Sequence, residues 1–409
     1  MQDTEFFERA LGLKKPWRVK EVKMDVGAKK VELEVECEEK TAWASGAGER
    51  LHIQDWERRS WRHLDTMQFE TRINAMVPRV KYPDGHTETV KVPWAEVRSR
   101  WTELFECLAI EVLLAARSVS QACELLRIDW SSAQRIMEKA VERGLCRRSH
   151  EGITRVGLDE KSFGRGQDYI SILSDLDASR VLEVTLGNDT ESGRRLWQSI
   201  PQEQREQVEA AAMDMSAGFA AATRFEAPGA AIVYDKYHVS AKLNEALNAV
   251  RKKEHRQLSE QGDERLKGSR QLWLYDPVNL DDARQQSFAE LAAENLKTSR
   301  AWMHKENFRE FWAQQSRWQG EGYFKRWYGG AIRSRLLPIK KVAKSLKEHL
   351  DGLLAYFGHR ITNAATEALN GRIAAIKTNA RGFRSFEHYR TRILFFLGKL
   401  DMRTAVVQA

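Results

Sequence analysis

Cysteine is scarce in this sequence, and the few cysteines that occur lie far apart. The 409 residues include only four, Cys37, Cys107, Cys123 and Cys146, and no two of them form a C-x-x-C pair. This spacing argues against a disulfide framework and against a complete cysteine-based zinc site.

Long apolar runs, internal repeats and low-complexity tracts are missing as well. No run approaches the ~18 apolar residues that a membrane span needs, and the N-terminus has no signal-peptide core. Hydrophobic residues make up 42% of the chain and charged residues 30%, which argues against wholesale disorder. We therefore expect a soluble intracellular protein of about two to four domains with no membrane partner.

Positive charge is concentrated near the C-terminus. The formal net charge is +8, yet residues 331–409 hold 15 Lys and Arg against 5 Asp and Glu, so residues 1–330 sum to −2. Such a basic segment indicates a surface that faces phosphate groups, although a solvated helical face would leave the same pattern.

Hydrophobic periodicity separates a β-rich beginning from a helical continuation. Residues 17–94 alternate apolar and polar positions in short runs, which predicts a small β-rich module. From residue 101 the period becomes helical, with an apolar stripe through Leu104 and Leu108.

Residues 153–235 predict one mixed sheet, because three strands precede the first helix and form a meander. The predicted strands are 155–159, 169–176, 180–186, 208–213 and 230–234, with helices at 191–199 and 216–224. Residues 239–359 are almost entirely helix-compatible. Aromatic residues at helical spacing are usually core, which favours burial of Trp273, Trp302, Trp312, Trp318 and Trp327, with a stacking platform for nucleic acid as the alternative.

An aspartate stands at the end of three predicted strands: Asp159, Asp214 and Asp235. Ligands collect beside strand ends in α/β sheets, and carboxylates from adjacent strands can share a divalent cation. Oxygen donors without a cysteine cluster suit Mg²⁺ or Mn²⁺ better than Zn²⁺. Each position alone would also fit a cap or turn residue.

Residues 362–377 predict a helix with two different faces. The polar face carries Asn363, Glu367, Asn370, Ala374 and Lys377, and the apolar stripe carries Ala365, Leu369, Ile373 and Ile376. Glu367 could therefore meet a metal ion and a phosphate backbone, with a merely solvated face as the alternative.

Four ordered motifs make the sequence recognisable. They are GLDEKSF from residue 157, AMDMS from residue 212, DKYHV from residue 235, and EALNGRI from residue 367 with GFRSF downstream. Together they closely resemble bacterial insertion-sequence transposases of the Asp-Asp-Glu type, specifically the insertion-sequence L-three family. The resemblance implies an α/β fold: an RNase H-like catalytic core with a large helical insertion, preceded by a helix-turn-helix and a small β-rich, degenerate zinc-ribbon-like module.

The resemblance makes Asp159, Asp214 and Glu367 the catalytic triad and the metal ligands. Three carboxylates can hold two Mg²⁺ ions ~3.5–4 Å apart, which Mn²⁺ could replace, for in-line cleavage and joining of DNA strands. Asp235 could instead supply the second ligand, but the Met-Asp-Met context favours Asp214.

Accessory roles at the site fall to Asp235, His238 and Asn370. The Asp235-x-x-His238 spacing resembles a motif of related Mutator-like and hAT transposases. A core-edge aspartate with a hydrogen-bonded histidine explains the same pair equally well.

DNA contacts are expected in two places. Predicted helices at 119–126 and 130–143, with Ser118 and Asp129 as N-caps, resemble a helix-turn-helix whose second helix enters the major groove. Its expected readers are Ser131, Ser132, Gln134 and Arg135. Phosphate contacts are expected from Lys377, Arg381 and Arg384, with Arg390 and Arg392 as further candidates.

The N-terminal module departs from the family, whose members usually carry a zinc ribbon with two cysteine knuckles. Here Cys37 stands alone, and only His52, His63 and His86 could complete a ligand set. Because structural zinc needs a closed set of four ligands, we predict no structural zinc.

The predicted segments are 1–100 (β-rich, DNA-end-binding), 101–150 (helix-turn-helix), 151–240 (core, first part), 241–355 (helical insertion) and 356–409 (core, C-terminal part). The predicted function is a cytoplasmic, nucleoid-associated bacterial transposase. It would bind terminal inverted repeats and target DNA as at least a homodimer. Two alternatives stay open: an inactive sequence-specific DNA-binding protein derived from a transposase, and an RNase H-like junction nuclease.

Overall fold

The computed structural model describes residues 3–38, 43–44, 50–164, 168–275, 279, 281–294, 296–361 and 364–404. The chain divides into two compact units. The first comprises Met1–Arg148 together with Leu400–Ala409, and the second comprises Ser149–Lys399. The five predicted segments stay a prediction.

The first unit begins with a β-rich module, as its alternating sequence predicts. Its elements are α1 (Asp3–Ala10), β1 (Trp17–Asp25), β2 (Lys30–Cys37), β3 (Trp43–Ala44), β4 (Arg50–Arg62), β5 (Glu70–Lys81) and β6 (Thr87–Thr89). The sheet order is β1-β2-β5-β4-β3, with β6 added to β5. Its core centres on Trp94, whose ring meets those of Trp17 and Trp61 edge-on at centroid distances of 5.1 and 5.4 Å.

Three helices complete this unit: α2 (Glu103–Ala115), α3 (Val119–Leu126) and α4 (Trp130–Arg147). Both predicted N-caps are confirmed. Ser118 Oγ accepts a hydrogen bond from Gln121 N at 3.2 Å, and Asp129 Oδ1 accepts one from Ser132 N at 2.7 Å. Arg127, in the short turn between α3 and α4, adopts a left-handed conformation with φ of 54°.

The predicted apolar stripe of α2 is wrong in its rotation about the helix axis. Leu108 is 39% exposed, whereas Phe105, Ala109 and Leu113 are buried. The helix is apolar on several faces, so periodicity alone does not choose among them. A buried ion pair helps fix the choice: Arg143 of α4 donates to Glu106 of α2 at 2.5 Å.

The second unit contains a five-stranded sheet with the order β11-β10-β7-β8-β9. Its strands are β7 (Arg155–Ser162), β8 (Tyr169–Asp175), β9 (Arg180–Leu186), β10 (Ala210–Met213) and β11 (Ala231–Tyr234). The predicted meander is confirmed, because β7, β8 and β9 pair antiparallel in succession. Strands β10 and β11 then extend the sheet in parallel on the other side of β7.

Helices account for most of the rest of this unit. They are α5 (Thr190–Gln198), α6 (Gln202–Arg205), α7 (Ala217–Glu226), α8 (Lys236–Ser259), α9 (Arg270–Leu274), α10 (Asp282–Ala293), α11 (Lys297–Arg309), α12 (Arg317–Arg333), α13 (Leu337–Glu348), α14 (Leu350–His359), α15 (Ala364–Asn379) and α16 (Phe386–Leu397). No helix of the described chain is both long and apolar enough to cross a membrane. The unit is thus a mixed α/β fold; the RNase H-like assignment stays a prediction.

The tryptophans of the helical region are core residues with one exception. Trp273, Trp312 and Trp327 are buried, and Trp302 packs half-buried against the same cluster. Trp318 contradicts the prediction, because 81% of its surface is exposed. It lies in the first turn of α12, on the side of the helix opposite buried Gly320 and Phe324.

Candidate active site

Three aspartates lie level with one another on neighbouring strands. Asp214 and Asp235 directly follow β10 and β11, but the predicted strand end at Asp159 is wrong, because β7 continues to pair with β8 as far as Ser162. Gly157 of β7 pairs with Ala212 of β10, so continuing both strands by two residues places Asp159 beside Asp214. Met213 of β10 pairs with Tyr234 of β11, which likewise places Asp214 beside Asp235. The sequence predicts this edge of the sheet as the site because the carboxyl ends of parallel strands meet there.

The same three aspartates occupy one face of the sheet. Side chains alternate between faces along a strand, so each aspartate shares its face with the residue two positions earlier. Those residues are Gly157, Ala212 and Val233, and the last two pack in an apolar cluster with Ile361, the residue that follows α14 by two positions.

Helix α15 packs against this face of the sheet and runs along β7. A Cβ atom built on Gly157 would lie 3.5 Å from Thr366 Oγ1. Further along, Asn370 Nδ2 donates to Asp159 Oδ2 at 2.5 Å, and Lys377 Nζ donates to the Ser162 carbonyl oxygen at 2.7 Å. The first turn of this helix carries Glu367.

Asp159 has polar partners on both of its oxygens. Its Oδ1 accepts a hydrogen bond from Glu160 N at 2.8 Å. Its Oδ2 accepts the bond from Asn370 and lies 3.2 Å from Lys161 Nζ. These contacts hold the carboxylate in one orientation within β7.

Asp214 is a half-buried carboxylate with other acidic side chains nearby. Burial raises its pKa, and the negative charges of Glu160 and Asp159 add to the rise. The positive charge of His238 and a hydrogen bond from Ser216 N oppose it. A carboxylate held among like charges is a site for a cation.

Glu160 is a site residue that the sequence reasoning overlooked. It lies close enough to Asp214 to raise the pKa of that carboxyl, and its Oε2 accepts a hydrogen bond from Asn188 Nδ2 at 3.0 Å. Its position directly after Asp159 could have indicated a role at the site. However, side chains alternate along a strand, so Glu160 is expected on the face of β7 opposite to Asp159.

Asp235 and His238 connect the site to α8. Asp235 is the N-cap of that helix and accepts a hydrogen bond from Tyr237 N at 2.5 Å. His238 Nε2 lies 3.7 Å from Asp235 Oδ2, and its charge also acts on Asp214. Asp235 therefore has the capping role that its sequence position left open. Asp235 and His238 nevertheless lie at the candidate site.

Glu367 is exposed, one helical turn before Asn370. Leu369 and Ile373 of the predicted apolar stripe are buried, whereas Asn363 and the side chain of Ala365 lie outside the described residues. Across the described part of the chain, no three His, Cys, Asp or Glu side chains form a group that could hold a metal ion.

The donors that fit a divalent cation here are therefore the paired carboxylates of Asp159 and Asp214. Both are hard oxygen ligands, as Mg²⁺ prefers. Their mutual repulsion is the kind that a bound cation would relieve.

Close packing around β7 depends on a glycine. A Cβ atom at Gly157 would lie 2.9 Å from both Leu176 Cδ2 and Ser174 Oγ, closer than side chains pack. We expect Gly157→Ala to lower the unfolding free energy by about 1–3 kcal/mol through overpacking against Leu176 and Ser174.

Thermal unfolding of the purified variant would measure this cost. Gly371→Ala on α15 is the matched control, since a Cβ atom there would meet open space. An added methyl group in a helix should be neutral or slightly stabilising at that position. Equal melting temperatures for Gly157→Ala and the unaltered protein would contradict the packing argument.

Helix α4 is expected to enter the major groove, but it leaves only some of the four residues predicted to contact bases available for DNA. Ser131 and Ser132 both donate side-chain hydrogen bonds to Asp129, at 2.5 and 3.0 Å. Gln134 is 3% exposed and donates to Glu138 Oε1 at 2.9 Å, so its prediction as a DNA reader is not supported. Arg135 is exposed.

The arginines near the C-terminus also divide into two groups. Arg381 and Arg384 are exposed, as phosphate contacts require. Arg390 instead binds Glu183 through two hydrogen bonds of 2.7 Å, and Arg392 is buried. These latter two serve the fold, because a buried or paired guanidinium is not presented to DNA.

Three of the four candidate zinc ligands of the N-terminal module are buried or have other partners. Cys37 is buried. Burial, with the charge of Arg62, lowers the pKa of His63 to about 4, and its Nδ1 lies 2.9 Å from Thr102 Oγ1. His86 Nδ1 lies 2.5 Å from Asp84 Oδ1.

Comparison with known protein families identifies the family of this chain. A family model described as "Transposase" matches residues 156–393, which is more than half of the sequence. This range includes Asp159, Asp214, Asp235 and Glu367. The chain belongs to the ISL3 family of DDE transposases. A second model, the helix-turn-helix domain of transposase family ISL3, matches residues 90–141.

Curated relatives of this ISL3-family protein carry corresponding names. It is similar to the transposase for insertion sequence element IS1557 of Mycobacterium tuberculosis, with 26% identity over 380 residues, covering 85% of this chain and 82% of the relative. It is also similar to the transposase for IS1001 of Bordetella parapertussis, with 25% identity over 331 residues, covering 80% and 81%.

A zinc-finger model of transposases IS204, IS1001, IS1096 and IS1165 matches residues 47–85 of this transposase. That stretch contains no cysteine. That stretch is therefore similar to a zinc-finger module but offers no thiolate ligand, and the absence of structural zinc stays a prediction. Family membership and the helix-turn-helix imply DNA binding and the use of a divalent metal ion.

Proposed function

We propose that this protein binds the terminal inverted repeats of an insertion sequence and catalyses Mg²⁺-dependent cleavage and strand transfer of its ends. One observation carries the proposal: Asp159 and Asp214 lie level on one face of adjacent parallel strands, and the helix with Glu367 crosses that face. The sheet order and this placement support an RNase H-like core.

Asp159 and Asp214 would hold a divalent ion, and Glu367 would complete the triad. When bound, a pair of such ions activates an attacking water or 3′-hydroxyl and stabilises the leaving oxygen. Asn370 and Lys161 orient the Asp159 carboxylate. His238 adds an accessory charge that acts on Asp214, and Asp235 lies 3.7 Å from its ring.

The protein's DNA contacts divide between its two units. Helix α4 in the first unit would enter the major groove, with Arg135 as its leading reader. Lys377, Arg381 and Arg384 in the second unit would contact phosphates near the cut. Because two transposon ends must be processed together, the active species would be at least a homodimer. The cytoplasmic, nucleoid-associated location stays a prediction.

Strand cleavage of a labelled inverted-repeat duplex tests the proposal. Incubation with Mg²⁺ should release the transposon end and join it to a target plasmid, and a chelator should stop both reactions. Binding without cleavage would favour the inactive DNA-binding protein instead. Nicking without joining would favour a junction nuclease.

Arg135→Ala should weaken binding to the inverted repeat by about 1–3 kcal/mol if this side chain contacts a base. Fluorescence anisotropy with inverted-repeat and scrambled duplexes would measure the loss. Lys139→Ala, one turn later on α4, is the control, because that lysine faces Glu96 at 3.7 Å. Equal losses for both variants would argue against the assignment of Arg135.

A further inference from the structure

Helices α12 and α13 carry most of the protein's excess positive charge. Residues 317–348 contain nine Lys and Arg against two Glu, a balance of +7, compared with +8 for the entire chain. None of these residues belongs to the candidate active site or to the helix-turn-helix.

On α13 the cations form a stripe. Lys340, Lys344 and Lys347 follow each other at i, i+4 and i+7, so they share one side of the helix. The core-facing side is occupied by Ile339 and Ala343, which are buried. At 1.5 Å per residue the stripe is about 10 Å long, which equals about three base-pair steps of duplex DNA.

The neighbouring helix continues this charged surface. Lys347 Nζ lies 5.1 Å from the ring centroid of Tyr328, so the lysine stripe borders α12. Lys325 lies one turn before Tyr328, and Trp318 lies seven residues before Lys325 on the same side. Lysines and an exposed tryptophan thus share one surface.

Folding does not account for these side chains. Lys325 pairs with Glu321 at 2.7 Å, but no described carboxylate pairs with Lys340, Lys344 or Lys347. Clustered lysines repel one another, and a bound polyanion would relieve that repulsion.

We propose that the α12–α13 basic face, formed by Trp318, Lys325, Lys340, Lys344 and Lys347, binds the backbone of duplex target DNA. The stripe consists of lysines, and α13 has no Asn, Gln or Arg to read a base edge by two hydrogen bonds. Binding there is therefore independent of sequence, as a target duplex requires. This inference rests on the proposed transposase function.

The test uses the full chain with the substitutions Lys340→Gln, Lys344→Gln and Lys347→Gln together. Glutamine keeps the helix propensity while it removes three charges. Fluorescence anisotropy with a random-sequence duplex, titrated across salt concentrations, gives the slope of log K against log salt. That slope should become shallower by about 2–3, since each lost phosphate contact contributes roughly 0.9.

A matched control removes the same charge elsewhere in the second unit, through Lys252→Gln, Lys253→Gln and Arg256→Gln on α8. These three side chains are exposed, and the control should leave the slope nearly unchanged. An unchanged slope in the α13 variant, or equal changes in both variants, would overturn the proposal.

A second readout separates this inference from the proposed function. The α13 variant should still cleave a labelled inverted-repeat end but should join it poorly to target DNA. Loss of end cleavage with normal target binding would show that the face holds the transposon end, which overturns the target assignment. If the unaltered protein neither binds nor cleaves the inverted repeat, the proposed function itself fails.

Discussion

Asp159→Asn is expected to slow cleavage of an inverted-repeat duplex by roughly 1,000-fold or more. A ligand that positions a catalytic metal ion contributes several kcal/mol of transition-state stabilisation, and about 4 kcal/mol corresponds to a factor of ~10³. The substitution keeps the size of the side chain and removes its charge. Binding to the inverted repeat should persist, because α4 lies in the other unit.

The control for this experiment is another aspartate of the same sheet. Asp177, in the turn between β8 and β9, forms an ion pair with Arg155 and lies outside the site. Asp177→Asn should cleave at nearly the unaltered rate. Should Asp159→Asn cleave within about tenfold of the unaltered protein, an amount worth only ~1.4 kcal/mol, the metal-ligand role would be untenable.

Glu367→Gln tests the third member of the predicted triad. Its side chain is exposed and belongs to no group of three ligands among the residues that the structure describes. A cleavage loss comparable to that of Asp159→Asn would indicate that Glu367 joins the site when metal and DNA bind. Full activity would leave Glu160 as the better third carboxylate, since it already acts on Asp214.

Local sequence rules predicted the elements that build the site. Alternation and turn signals located all five strands of the central sheet. The observed ends lie within two residues of the predicted ones, except that β7 runs three residues beyond Asp159. Ser118 and Asp129 were recognised as caps because their oxygens satisfy the first free N–H groups of a helix. Asp214 and Asp235 at strand ends followed from these boundaries.

Tertiary contacts decided what local rules could not. Gln134 sits at a helix start, where a reader is expected, but a hydrogen bond to Glu138 and packing in the first unit bury it. Arg390 is a bidentate partner of Glu183, more than 200 residues away in sequence. Glu160 acts on Asp214 across the sheet despite the alternation of faces. None of these contacts produces a periodic pattern in the sequence from which it could be predicted.

Asp214→Asn is expected to stabilise the metal-free protein while abolishing its stabilisation by Mg²⁺. Burial raises the pKa of Asp214, and the nearby negative charges add to this effect. A carboxyl whose pKa is higher in the folded protein than its unfolded value of about 3.9 lowers folding stability once the pH exceeds both values. A neutral amide removes that penalty, so the metal-free melting temperature should rise near neutral pH.

The pH dependence separates this effect from a general change in packing. As the pH falls through the raised pKa, Asp214 becomes protonated in the folded protein, and the two proteins should converge in stability towards the unfolded pKa of about 3.9. Asp177→Asn should behave oppositely, because its hydrogen bond from Arg155 lowers the pKa of Asp177 and stabilises the fold at neutral pH.

Metal provides the decisive comparison for Asp214. A cation that binds only the folded form at a hundred times its Kd adds about 2.7 kcal/mol to the unfolding free energy. Calorimetric melting with a chelator and with excess Mg²⁺ should show that gain in the unaltered protein and in Asp177→Asn, but not in Asp214→Asn. Since the buried charge of Asp214 is costly without a cation and useful with one, equal Mg²⁺ stabilisation of all three proteins would place the metal elsewhere.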